Sequence, residues 1–210
     1  MRAAHVTRLP IADCRFSSQA PAATGGFVLW LTGLSGAGKS TLTNALAPVL
    51  RERGLRVEVL DGDAVRTNLS KGLGFSREDR DTNILRIGFV ANLLARNGVA
   101  VITAAISPYR ATRDANRALI EADGSAFVEV HVAATLEECE ARDVKGLYAE
   151  ARSGARSGFT GIDDPYEAPL QPELLLPTGA EPVEASLRRV VTYLESSGLL
   201  PSASHPGSER

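Results

Sequence analysis

The stretch Gly33-Leu34-Ser35-Gly36-Ala37-Gly38-Lys39-Ser40-Thr41 leaves this chain few folds to choose from. It matches G-x-x-x-x-G-K-[ST], a phosphate-binding loop, and it has the surroundings such a loop requires. The apolar run Phe27-Val28-Leu29-Trp30-Leu31 precedes it as a strand, and Leu42, Ala45, Leu46 and Val49 follow at helical spacing. Glycines let consecutive backbone N–H groups turn inward around a phosphate chain, where a Cβ would block the approach. Lys39 is placed to reach the β- and γ-phosphates of a nucleoside triphosphate, and the Ser40 hydroxyl to ligate Mg²⁺. The positive end of the following helix faces the same anion.

Downstream, strand and helix patterns alternate. A helix is expected over residues 39–53, stopped by Gly54 and disturbed by Pro48. Residues 56–60 form a short strand ending in Asp61-Gly62-Asp63. Residues 76–97 form one helix, capped by Ser76, with Asp79 as a weaker version of the capping box and Gly98 as terminator. Residues 99–105 are apolar almost throughout, as in a strand buried on both faces of a parallel sheet. Pro108 suits an early position in the next helix. A strand over 126–132, a helix over 136–142, an irregular stretch over 145–172, an edge strand over 174–176 and a helix over 182–197 complete the series. The order predicts an α/β fold, a doubly wound parallel sheet sandwiched by helices, in one domain over residues 27–198. A polar lead-in (1–26) and a polar tail (199–210) flank it. Ligands of such sheets collect beyond the carboxyl ends of the strands. The Gly33 loop, Asp61-Gly62-Asp63 and Ile106-Ser107-Pro108 therefore belong to one cleft.

The formal net charge is −2, which argues against nucleic acid or an anionic membrane as partner. An anionic ligand must be held by a local cluster of positive charge. No apolar run approaches the roughly 18 residues of a membrane span. Cys14 and Cys139 lie far apart and suggest no disulfide framework, which fits a cytoplasmic protein. Paired carboxylates at a strand end beside a phosphate loop suit phosphoryl transfer: Asp61, nearer the strand, for the metal, and Asp63 to take the proton of an attacking hydroxyl. Capping of the next helix is the alternative for each. Arg66, Lys71, Arg80 and Arg86 follow; they suit an anionic acceptor beside the nucleotide, or a solvated helix face. Lys145, Arg152 and Arg156 suit a mobile basic lid that excludes water, or an ordinary flexible loop. For Phe75 and Phe159, spacing alone favours core packing.

Several blocks together are more specific. Asp61-Gly62-Asp63-Ala64-Val65-Arg66 and Leu73-Gly74-Phe75-Ser76-Arg77-Glu78-Asp79-Arg80-Asp81-Thr82-Asn83-Ile84 resemble the adenylylsulfate kinase (APS kinase) family. So do Ile106-Ser107-Pro108-Tyr109-Arg110, Arg142-Asp143-Val144-Lys145-Gly146-Leu147-Tyr148 and Phe159-Thr160-Gly161-Ile162-Asp163-Asp164-Pro165-Tyr166-Glu167. The likeness runs over about 27–176, in family order. It implies a P-loop kinase that moves the γ-phosphate of ATP to the ribose 3′-hydroxyl of adenosine 5′-phosphosulfate (APS), giving PAPS and ADP with Mg²⁺. It further implies that Arg66, Arg80 and Asn83 grip the acceptor and that Phe75 and Phe159 sandwich its adenine. Ile106, Ser107, Lys145 and Leu147 line the same pocket, Asp63 is the base, and a homodimer is the usual assembly.

Ser107 has a further implied role, because bacterial members are often assigned a phosphoserine there. Direct in-line transfer with Ser107 as pocket wall is preferred, since loop, metal and base suffice without a covalent stop. Capping of the helix before Pro108 is the structural alternative. Val144 stands where a proline is frequent, and Ala37 and Ala64 stand where other small or polar residues are common. Two rival functions are a kinase for another small hydroxyl acceptor and a non-catalytic nucleotide switch. The first has no reason to carry Phe75, Phe159 and the later blocks together; the second would be expected to have lost Lys39 or Asp63.

Overall fold

The computed structural model describes residues 25–201. Its first strand, β1 (Phe27–Thr32), is buried at every position, and its side chains divide by parity. Phe27, Leu29 and Leu31 enter one apolar cluster, and Val28 and Trp30 enter another. Alternate residues of a strand face opposite sides, so the sheet carries a core on each face.

Around β1 the chain runs α1 (Lys39–Glu52), β2 (Val57–Asp61), α2 (Gly62–Asn68), α3 (Arg77–Ala95), β3 (Ala100–Ala104) and α4 (Arg110–Ala122). It continues through β4 (Ala126–Val132), α5 (Leu136–Arg142), α6 (Leu147–Arg152), β5 (Leu174–Leu176) and α7 (Val183–Ser196). The five strands are parallel, in the order β2-β3-β1-β4-β5. Leu42, Leu46 and Leu50 of α1 and Val190 and Leu194 of α7 cover one face. Ile84, Ile87, Ala91 and Ala95 of α3, with Ile120 of α4, cover the other. The expected doubly wound sheet is present. The chain leaves β1 toward one edge and leaves β3 toward the other, so the loops after them open side by side at the carboxyl end.

Local chemistry explains most boundaries. Ser76 caps α3, its Oγ accepting from Asp79 N–H at 3.1 Å. The Asp79 carboxylate accepts from Gly74 N–H at 3.0 Å rather than closing back on Ser76; it is a methylene shorter than the glutamate of a full capping box. Beyond α1, Gly54 sits at φ +82°, the left-handed position that follows many helix ends.

Three expectations need correction. Helix α4 starts at Arg110 with Tyr109 as N-cap, so Pro108 lies ahead of it and Ser107 caps nothing. Pro108 is held in that turn because its carbonyl accepts from Glu167 N–H at 2.8 Å. Residues 145–172 are not irregular throughout: they contain α6, whose one buried residue, Tyr148, is too little to show a helical period in sequence. The readings of the lead-in, of Cys14 and of the tail beyond 201 fall outside the described residues. Among the described residues no helix is long and apolar enough to cross a membrane.

Candidate active site

The loop after β1 is built from the carbonyl side. Gly33 has φ +153°, and a Cβ there would sit 2.4 Å from the Val132 carbonyl oxygen of β4. Lys39 Nζ donates to the Gly33 and Leu34 carbonyls at 2.8 and 2.7 Å. Tyr148 Oη donates to Ser35 O at 2.8 Å, Arg142 Nη1 to Gly36 O at 3.3 Å, and Thr178 Oγ1 to Ala37 O at 2.7 Å. With its carbonyls engaged from behind, the loop offers backbone amides to an anion. Gly36 (φ +75°) and Gly38 (φ +103°) supply the left-handed turns this needs. Ser35, Gly36, Gly38, Lys39, Ser40 and Thr41 line the cleft. Ala37 points into the apolar core instead. Burial pushes the Lys39 ammonium down from its ordinary 10.5 to about 8.

Asp61, at the end of β2, does two things at once. Its Oδ1 caps α2 by accepting from Asp63 N–H at 3.0 Å, and its Oδ2 accepts from Ser40 Oγ at 3.2 Å. The capping reading of Asp61 therefore holds, and its second carboxylate oxygen lies beside the Ser40 hydroxyl. A hydroxyl beside a carboxylate fits Mg²⁺, which binds through one or two protein oxygens together with water and phosphate. Among the described residues no group of three or more His, Cys, Asp or Glu could hold a metal.

Residues of α2 and α3 line the same cleft as the loop. Asp63 does not cap α2; its carboxylate is exposed and pairs with Lys145. Arg66 lies 4.4 Å over the Phe75 ring and donates to Gly74 O at 3.0 Å. Burial, and then the neighbouring Arg80, lower the pKa of Arg66. Arg80 is 6% exposed, so the solvated-face reading fails for it. It donates to Thr160 Oγ1 at 2.7 Å and to Gly158 O, and it pairs with Asp164 at 2.8 Å. Lys71 and Arg86 are exposed. Asn83 is buried, and its Oδ1 has no hydrogen-bond partner.

The remaining wall comes from the turn after β3 and from residues 145–160. Ile106 O accepts from Thr32 Oγ1 at 2.7 Å. Ser107 is buried at φ +48°, and its Oγ accepts from Trp30 Nε1 at 3.2 Å. Phe159 is buried and meets Tyr148 edge-on at 5.0 Å, whereas Phe75 is 54% exposed. The core-packing reading thus holds for Phe159 and fails for Phe75. Asp63, Arg66, Phe75, Arg80, Asn83, Ile106, Ser107, Lys145, Leu147 and Phe159 all line the same cleft of about 630 Å³ as the phosphate loop.

A family model described as adenylylsulphate kinase matches residues 25–177. The chain belongs to the adenylylsulphate kinase family. An adenylyl-sulfate kinase of Rippkaea orientalis is 61% identical over 175 residues, covering 83% of this chain and 94% of that protein. The Mycobacterium tuberculosis APS kinase CysC, solved in complex with AMPPNP and APS, is 42% identical with a TM-score of 0.78. That match covers 81% of this chain and 98% of the other. A hexameric APS kinase from Thiobacillus denitrificans is 40% identical with a TM-score of 0.64, over 83% of this chain and 30% of that one.

Other cleft residues of this family member escaped the sequence reading as site residues. Tyr148 and Thr160 line the cleft beside their quoted neighbours; membership of the KGLY and FTGIDDPYE blocks was the available signal. Arg156 also lines it, held by Glu150 at 2.9 Å. Its only signal was its place in the basic segment.

Proposed function

We propose that the chain is an ATP-dependent adenylyl-sulfate kinase, transferring the γ-phosphate of ATP to the ribose 3′-hydroxyl of APS and releasing PAPS and ADP for sulfate assimilation. The observation that carries this is one cleft lined both by Ser35, Gly36 and Gly38 to Thr41 of the phosphate loop and by every acceptor residue named above.

The loop amides and Lys39 hold the triphosphate and balance the charge that spreads over the γ-phosphoryl oxygens during transfer. Ser40 and Asp61 would hold Mg²⁺, which supplies further charge neutralisation on the phosphates. Asp63 takes the proton of the 3′-hydroxyl. Its pairing partner Lys145 comes from the segment between α5 and α6, and its exposed ammonium turns to an acceptor oxygen once Asp63 is engaged. Asn83 Oδ1, buried and unpartnered, accepts from a ribose hydroxyl. Arg66 and Arg80 bind the phosphosulfate, and the exposed face of Phe75 stacks on adenine. The basic segment carrying Lys145 and Arg156 closes over the reacting groups and excludes water.

Transfer is direct and in line, with Ser107 as wall: its Oγ already serves the Trp30 indole. A homodimer in the cytoplasm belongs to the same reading, supported by the family resemblance. The test is ADP release with ATP and APS, beside adenylate and gluconate as control acceptors. Turnover is expected with APS alone, and its absence at an enzyme concentration where ATP binds defeats the assignment. Inversion at phosphorus is expected with γ-chiral ATP, and retention would overturn direct transfer.

A further inference from the structure

The largest charged side chain sealed in the interior lies outside the chemistry described so far. Arg113 of α4 is 1% exposed. A guanidinium stays charged, so burial at this depth demands partners for its donors. Each partner comes from a different segment: Nε donates to Glu129 Oε1 of β4 at 2.7 Å, Nη1 to Ser107 O at 2.6 Å, and Nη2 to Glu167 O at 2.7 Å.

We infer that Arg113, charge-balanced by Glu129, is a positioning residue for the acceptor half of the site, holding the Ser107 turn and the 159–167 strap in one fixed relation. The inference rests on the kinase reading above.

Ser107 is a non-glycine residue in the left-handed region, a conformation that persists only where the surroundings over-determine it. Here Arg113 holds its carbonyl, Trp30 Nε1 its hydroxyl, and Thr32 Oγ1 the carbonyl before it. The strap is pinned at both ends. Arg80 grips Thr160 and Asp164 near its start, and at its end Glu167 gives its carbonyl to Arg113 and its N–H to Pro108 O. Ser107 and Phe159 both line the cleft, and Arg113 bridges the segments that carry them without lining it. The carbonyls of the phosphate loop are held by Arg142, Tyr148 and Thr178 instead, and its backbone tie to the turn, Gly33 N–H to Ile106 O, is long at 3.4 Å. Arg113 should therefore govern acceptor binding and leave ATP alone. Glu129 is steadied from its far side, its N–H donating to Glu173 Oε2 at 2.6 Å and Arg117 lying 3.7 Å from its carboxylate.

The experiment compares wild type with Arg113→Lys and with the charge-neutral pair Arg113→Gln/Glu129→Gln. It measures KM for APS, kcat, Kd for AMPPNP by calorimetry, thermal midpoint and the emission of Trp30, the single tryptophan. Lysine keeps the charge but cannot span three segments. The double variant leaves no unpaired buried charge if lysine prevents folding. In both variants KM for APS is expected to rise about 10- to 100-fold, the scale of an ångström-sized displacement at a site. Kd for AMPPNP should stay within about twofold, and Trp30 emission should shift as the Ser107 contact loosens. Unchanged KM for APS, equal loss of both ligands, or failure of both variants to fold would each reduce Arg113 to a structural ion pair. Wild-type protein that does not turn over APS would instead defeat the functional reading.

Discussion

Lys39 couples ATP affinity to pH in a way that can be worked out beforehand. Burial lowers its pKa in the ligand-free protein to about 8, from an ordinary 10.5. Polyphosphate laid against Nζ favours the ammonium and returns the pKa toward its ordinary value or above. Binding therefore takes up a proton wherever the free protein has lost one, which means above about pH 8. At pH 7 the free ammonium is already about nine-tenths formed, so the loss is negligible; at pH 9 only about a tenth is charged, and ATP should bind about tenfold more weakly. The same shift acts on folding with the opposite slope. The unfolded chain holds this proton up to about 10.5, so the ligand-free fold gains stability as pH rises from about 8 to 10.5 and loses that gain as pH falls back through 8. Calorimetric titration of AMPPNP from pH 7 to 9.5, in buffers of differing ionisation enthalpy, measures both Kd and proton uptake. Lys39→Arg stays charged throughout and should lose the slope. A Kd that is flat across this range in the wild type, or an equal slope in Lys39→Arg, would show that the buried lysine does not control the affinity.

Asp63→Ala should lower kcat by about 10² to 10⁴, the usual contribution of a positioned base, with AMPPNP affinity kept; unchanged turnover would remove Asp63 from the role. Phe75→Ala should raise KM for APS about 5- to 150-fold if stacking is worth about 1–3 kcal/mol. Its thermal midpoint should barely move, because the ring is more than half exposed. A large fall in that midpoint with unaltered KM would make Phe75 a packing residue after all. Gly88→Ala places a Cβ 1.9 Å from Asn116 Oδ1, forcing a buried amide off its 3.1 Å bond to Ile84 O. Urea unfolding should show a loss of about 1–3 kcal/mol. That loss should shrink in an Asn116→Ala background, and strict additivity would refute the clash.

Much of the donor half can be read without coordinates because it is local. Strand, glycine turns, lysine and helix start are consecutive, and each step is a backbone or charge requirement met by the next residue in line. The alternation that predicts the sheet is local in the same sense, and so is the parity of β1 that divides its residues between two cores. Of the proposed acceptor half, the residues alone suggested Asp63 as base and a cluster of arginines, and the rest was legible only as blocks resembling a family. Physical reasoning on the residues alone left Arg80 between ligand and solvated face, and Phe75 and Phe159 in the core. Their environments depend on which segments the strand order β2-β3-β1-β4-β5 brings together. That order sets the 159–167 strap against α3, which buries Arg80 on Thr160 and Asp164, and it seats Phe159 on Tyr148 while Phe75 stays open to the cleft. Arg113 shows the difference most plainly. In the sequence it is one more charge on an amphipathic helix. Only the fold reveals that its partners lie 6, 16 and 54 positions away, because a guanidinium's choice of carbonyls is made by packing in space and leaves no period or motif along the chain.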